Sequence, residues 1–188
     1  MATIAEITAL LEGLSAQYLE QVRAYLESLR REQAQGDPAA WSFDFLEKFS
    51  EATRSASRAP AGMEIKVAAA TCGGVTRPAL WEHSPTSGSA IISYVVPVPT
   101  GLRGLKLKFA LGIRDGAELP SDRFIVFRVL VNGWKLWSTV KNAHAWEEFA
   151  IEMPQVSSDV ARVEFLTDGM GDNRWNWAVW GEPRLEGE

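Results

Sequence analysis

The loop DGMGDNRWNW, Asp168 to Trp177, gathers the side-chain types that recognise polyhydroxylated rings. Asp172, Asn173 and Arg174 are planar hydrogen-bonding groups, and Trp175 beside them is a flat apolar face. A sugar offers both complements, axial C–H groups for the indole and hydroxyls for the planar groups. Gly169 and Gly171 mark the segment as a loop, where binding residues are commonly displayed on a rigid scaffold. The competing reading makes it a connection whose tryptophans lock the last strand. A second candidate platform is Trp137, in FIVFRVLVNGWKLW (124–137).

Other combinations offer less chemistry. Asp115 and Glu118 in GIRDGAE supply oxygens of the kind calcium takes, but Asp and Gly also build turns without a metal, so no metal or other cofactor is expected. Cys72 with His83 or His144 is the one thiol–imidazole combination, and a single cysteine at a strand end is more often a small buried hydrophobe. Two histidines cannot complete a three-histidine zinc site. Glu147 and Glu148 alternate faces on a strand and form no glycosidase pair, and Gly73-Gly74 is too short for a phosphate loop. The expectation is a protein that is not an enzyme.

These residues need elements to hold them. Asn132-Gly133 suits a two-residue type I′ turn between two β-branched and aromatic runs. Pairing Val131 with Trp134 and Arg128 with Trp137 places Phe127, Val129, Val131, Trp134 and Leu136 on a core face, and Trp137 on the outer one. Period-two alternation recurs at 65–70, 90–98, 105–113, 146–153, 160–167 and 176–185, separated by Gly, Pro, Asp and Asn. Ile92, Tyr94, Val96 and Val98 share one face, as do Leu105, Leu107, Phe109, Leu111 and Ile113. That pattern predicts an all-β antiparallel sandwich of jelly-roll type over about 63–188.

The N-terminal region reads differently. Ile7, Leu11, Leu14, Tyr18, Val22, Tyr25 and Leu29 recur at helical spacing. Asp37-Pro38 opens a further helix to about Ala52, with Trp41, Phe45, Leu46 and Phe49 on one side. The expected organisation is a helical region at 1–52, a linker at 53–62 and the β-domain at 63–188. The stripe must bury itself on its own chain, on a protein partner or on a second copy in a homo-oligomer.

Hydrophobic content of 46% and charged content of 23% are ordinary for a globular protein. A net charge of −5 disfavours nucleic acid, which needs a basic patch. No segment approaches the ~20 apolar residues of a membrane span. The N-terminus lacks a basic, apolar leader, so a cytoplasmic protein is expected, with no membrane partner.

RPALWEHSP (77–85), GIRDGAE (112–118) ahead of the FRVLVNG hairpin, and NWAVWGEPRL (176–185) together resemble the jelly-roll carbohydrate-binding modules, in particular the novel putative type attached to glycoside hydrolases. The resemblance covers about Met63 to Glu188. It implies a β-sandwich and a non-catalytic module that binds a glycan. Asn176 stands where those modules have an aspartate. The alternative is a structural or interaction protein, whose sandwich is a scaffold and whose helices mediate assembly or docking.

Overall fold

The structure is a computed structural model that describes residues 18–19, 22–23, 41–56, 64–99, 102, 104–154 and 159–187. Two compact units are present, Met1–Ala40 and Trp41–Glu188. In the first, Tyr18, Leu19, Val22 and Arg23 have helical geometry, and Tyr18 and Leu19 are exposed. Ile7, Leu11, Leu14, Tyr25 and Leu29, and with them the expected assembly stripe, lie outside the described residues. Among the described residues no α-helix is delimited, and no helix is long and apolar enough to cross a membrane.

The second unit is an antiparallel two-sheet sandwich. Its strands are β1 (Trp41–Asp44), β2 (Thr53–Ala56), β3 (Ile65–Cys72), β4 (Val75–Glu82), β5 (Ser89–Pro97), β6 (Lys106–Ile113), β7 (Ile125–Val131), β8 (Trp134–Lys141), β9 (Glu147–Glu152), β10 (Val160–Asp168) and β11 (Ala178–Gly187). The first sheet runs β3-β4-β11-β6-β9, and β1 pairs with β11; the second runs β2-β5-β10-β7-β8. β4 takes Val179–Gly181 of β11 and β1 takes Arg184–Gly187, on either side of a bulge.

Over 41–56 the expected helix and linker are corrected here; 37–40 and 57–62 lie outside the described residues. Residues 41–44 are a strand of the first sheet and 53–56 a strand of the second. Between them Asp44 Oδ1 accepts the N–H groups of Leu46 (2.7 Å) and Glu47 (3.2 Å), and Phe49–Glu51 form a 3₁₀ turn. Helical spacing at Phe45, Leu46 and Phe49 therefore reflects a turn, while the strands beside it are set by distant partners. Phe45 is fully buried, and its carbonyl accepts the Tyr94 hydroxyl at 2.9 Å.

Alternation places the core as expected in most strands. Ile92, Tyr94, Val96 and Val98 are buried, as are Leu105, Leu107, Phe109, Leu111 and Ile113. Edge-to-face aromatic contacts join Trp180 to Phe109, Phe127 and Phe165, and Phe45 to Phe165 and Tyr94. Such pairs add to the area they bury. One acid enters this core: Glu82 is fully buried, and Trp180 Nε1 donates to its Oε2 at 2.7 Å. Burial raises its carboxyl well above the usual carboxylate range, against the opposing indole hydrogen bond.

The hairpin keeps its two-residue loop but not its expected register. Val131 pairs with Trp134 and Leu130 with Lys135, and then a bulge makes Val129 face Trp137. The extra residue, Leu136, moves Trp137 to the core side, where its ring lies 5.1 Å from Phe109 and 4.6 Å from Phe149. Trp134, expected in the core, is 82% exposed near the hairpin tip. Alternation assigns it a side, but not a neighbour to cover it.

A smaller apolar cluster lies on the outer face of the first sheet. Gly73 and Gly74 at positive φ turn the β3–β4 hairpin, and Cys72 packs where a Cβ on Gly112 of β6 would stand. β6 is not a neighbour of β3 in the sheet, so the hairpin tip folds over the face. Asp115 pins it, accepting the N–H groups of Gly73 (2.7 Å) and Gly74 (2.8 Å). Trp146 Nε1 donates to the Val75 carbonyl at 2.8 Å, and the Trp146 ring lies against Gly112 and Gly181.

Candidate functional site

Register fixes which loops meet at one end of the sandwich. Gly181 pairs with Ala79 and Val179 with Trp81 on one side of β11, and Ala178 with Ile113 on the other. Continuing past these pairs, His83, Trp177 and Arg114 leave the sheet together. The Arg114 N–H donates to the Trp177 carbonyl at 3.0 Å, and an added Cβ on Gly116 would meet Trp177 at 3.4 Å. The β4–β5, β6–β7 and β10–β11 loops therefore share this end.

The β10–β11 loop is held by its own polar groups. Asp168 Oδ1 accepts the Met170 N–H (2.8 Å) and Asp172 Oδ1 that of Arg174 (2.9 Å), two Asx turns. Asn176 is 1% exposed, and its amide nitrogen donates to the Asp172 carbonyl (2.6 Å) and to Ser84 Oγ (3.0 Å). An added Cβ on Gly169 would overlap that amide nitrogen and the Asp172 carbonyl. Arg123 of the β6–β7 loop reaches the Asp172 carboxylate and its carbonyl (3.1 Å). Arg174 Nε and Nη2 hold the same carboxylate at 3.0 and 2.6 Å. These hydrogen bonds, from Arg174 above all, lower the Asp172 carboxyl far below its usual range.

Within this frame Trp175 adopts φ +64° and is 37% exposed. That region is costly for a bulky residue and persists only where surrounding contacts determine it. Its ring stands 5.5 Å from that of Trp177. Trp177 lies parallel to His83 at 6.4 Å, and His83 parallel to Trp81 at 6.0 Å. Lys66 (4.2 Å) and Arg114 (3.4 Å) cover Trp81. Burial lowers the His83 imidazole to about 4, so it is neutral near pH 7.

The residues expected at the site divide into three kinds. Trp175 and Arg174 are exposed, with 77% of the Arg174 side chain accessible, and Asn173 lies beside them with an amide that makes no hydrogen bond among the described residues. Asp172 is committed to two arginines and orients them. Trp137 is corrected: it packs on Phe109 and Phe149 and offers no outer platform. Sequence reasoning missed Trp177, Trp81, His83 and Arg114 as a group. The signal was present in the β4 and β6 ends, but the pairing that joins those ends is non-local. Asp115 spends its carboxylate on the Gly73-Gly74 turn, and among the described residues no three His, Cys, Asp or Glu groups converge as metal ligands. Cys72 is buried, and burial pushes its thiol up to about 12, which leaves no thiolate at neutral pH.

A shallow depression of about 250 Å³ lies elsewhere, on the outer face of the first sheet, floored by Ala110 and Gly181. Its walls are already paired: Arg77 with Glu148 at 2.5 Å and Glu182 at 3.8 Å, and Arg184 with Glu186 at 2.5 Å. No aromatic face opens into it comparable to Trp175.

No family model matches the chain, and no curated protein matches it. The solved structures to which the chain is similar are carbohydrate-binding modules. One holds the CBM51-2 and INT domains of Clostridium perfringens ZmpB, 15% identical with a TM-score of 0.46, covering 71% of this chain and 28% of that one. Another is the CBM51 of Clostridium perfringens GH95 in complex with methyl-galactose, 11% identical with a TM-score of 0.47, covering 77% and 99%. A third is TmCBM61 in complex with β-1,4-galactotriose, 16% identical with a TM-score of 0.49, covering 78% and 99%. The chain thus spans 28% of the length of the first of these. At such identities no site residue is carried over from them.

Proposed function

We propose that the loop end of the sandwich is the binding face of a non-catalytic carbohydrate-binding module. The observation that supports this most is Trp175, an exposed indole held at φ +64° by a loop whose acid, Asp172, fixes the neighbouring guanidinium. Trp175 supplies the face on which a pyranose ring stacks. Arg174 Nη1 and the Asn173 amide, neither engaged by the described residues, supply donors and an acceptor for hydroxyls. Asp172 and Arg123 position them. The face needs no acid–base pair, since nothing is cleaved.

Calorimetric titration of the full chain against a panel of neutral and acidic oligosaccharides tests the reading. A binding sugar is expected to lose at least about tenfold in affinity with Trp175→Ala, since a stacked ring contributes about 1.4 kcal/mol or more. The melting temperature should hardly fall, because the indole is partly exposed and is not part of the buried core. Affinity unchanged in Trp175→Ala, but abolished in Trp134→Ala at the hairpin tip, would overturn the assignment.

A further inference from the structure

We infer that the ligand of this face carries an anionic substituent, a carboxylate or a sulfate ester, which docks on Arg114. The inference rests on the carbohydrate reading above and specifies the class of sugar. Arg114 follows β6 directly, and its backbone bond to Trp177 fixes where its side chain starts. The guanidinium carbon lies 3.4 Å from the centre of the Trp81 ring and 5.0 Å from that of Trp177, with 22% of the side chain exposed. Trp175 is the next ring beyond Trp177, at 5.5 Å. Trp177 thus links Trp175 to Arg114, and Arg174 is the residue next to Trp175 in the chain.

What sets Arg114 apart from the other half-buried arginines among the described residues is its lack of a hydrogen-bonded acceptor; Arg54 and Arg162, which also lack one, are exposed. Arg123 and Arg174 both bond Asp172, Arg77 bonds Glu148 and Arg128 bonds Asp168. Among the described residues Arg114 makes no side-chain hydrogen bond; it is ion-paired with Glu64 Oε2, 3.7 Å away. Glu64 is engaged elsewhere, its Oε1 accepting from Lys66 at 3.1 Å. The acid next in sequence, Asp115, is spent on Gly73 and Gly74. Two further groups beside Arg114 lack partners: the Trp81 indole N–H, on a residue 8% exposed, and His83 Nε2, also buried. His83 is neutral near pH 7 and adds no competing charge.

A guanidinium is a rigid fork of five N–H donors, and leaving it half-desolvated with none satisfied is unfavourable. A planar carboxylate meets two of those donors at once, and a sulfate presents oxygens at similar spacing. A neutral hydroxyl meets one donor without charge assistance. Contact with the Trp81 and Trp177 rings pre-positions the fork, so little side-chain freedom is lost when an anion arrives. Lysine cannot reproduce this geometry.

Calorimetry on the full chain decides it, using oligosaccharides of one backbone in uronate-bearing, sulfate-bearing and neutral forms, at low and high salt. The expected result is that one anionic form binds at least about tenfold tighter than the neutral form, with the preference weakened by salt. Which form it is separates carboxylate from sulfate. Arg114→Gln should bring the affinity for the anionic form down to about that for the neutral form, and Arg114→Lys should retain only part of the preference. A merely structural Arg114 would weaken all three forms equally, a result that overturns the inference, as does equal affinity for the three forms in the wild type. Either outcome leaves the carbohydrate reading standing if Trp175→Ala still weakens binding at least about tenfold. Failure of every oligosaccharide to bind the wild type overturns both.

Discussion

Trp180 and Trp175 stand five positions apart and live in opposite environments. Trp180 is fully buried, touches three phenylalanines edge-on and satisfies its indole N–H with Glu82. Trp175 is exposed, sits at positive φ and touches mainly Trp177. The core uses a tryptophan where regular strand geometry delivers it without strain. The loop end instead keeps one in a costly conformation, held by Asp172, Asn176 and Gly169. Strain of this kind is maintained by surrounding hydrogen bonds, and its usual association is with a site rather than with stability.

The comparison can be broken most severely from the N-terminal side. A chain that begins at Ala61 lacks β1 and β2 and with them Phe43 and Phe45, both buried. Losing either ring costs about 3–5 kcal/mol, a large share of a stability of roughly 5–15 kcal/mol. We expect no cooperative thermal transition by circular dichroism, whereas a chain that begins at Trp41 should melt sharply. A sharp transition in the shorter chain would mean that these rings are dispensable to the core.

Trp180→Ala is next. It should destabilise by about 3–5 kcal/mol in denaturant titration, through the cavity left among Phe109, Phe127 and Phe165. A loss below about 1 kcal/mol would show that the sheets collapse onto the space.

Gly169→Ala acts on the other pole. Its Cβ would overlap the Asn176 amide and the Asp172 carbonyl, so a cost of about 1–3 kcal/mol is expected. Ligand binding should fall with it, because Arg174 and Trp175 are carried by the same loop. Intact binding would detach the loop frame from the site.

Glu82→Gln should have the smallest effect and the opposite sign. Burial raises the folded-state pKa above the unfolded value of about 4.3. Between those two values the native state binds the extra proton, so wild-type stability falls as pH rises through that window. Glutamine keeps an acceptor for the Trp180 indole and does not ionise. The variant should therefore match the wild type near pH 4 and exceed it increasingly at higher pH. Parallel melting curves across the range would contradict a neutral Glu82.

Much of the sandwich is legible in the chain because alternation is a local signal. The burial of Ile92, Tyr94, Val96 and Val98 follows from spacing alone, and so does the Asn132-Gly133 turn. β1 and β2 were not legible, because four-residue strands around an Asx turn and a 3₁₀ turn present helical spacing at Phe45, Leu46 and Phe49. Nor was the bulge that sends Trp137 inward, since its cause is the packing of Phe109 and Phe149 from the opposite sheet.

For the site the division is similar. The sequence by itself determined that a glycine-spaced loop carries Asp172, Asn173, Arg174 and Trp175 together, because those residues are contiguous. Only the tertiary structure decided that Asp172 is an organiser, that Trp175 stays out in solvent and that Trp81, His83, Arg114 and Trp177 form one stack. Those four come from three separate strand ends, and the antiparallel pairing of β4, β11 and β6 aligns them at one edge. Pairing joins residues up to 146 positions apart in this chain, as Trp41 and Gly187 show. Local propensity and alternation carry no record of such separations.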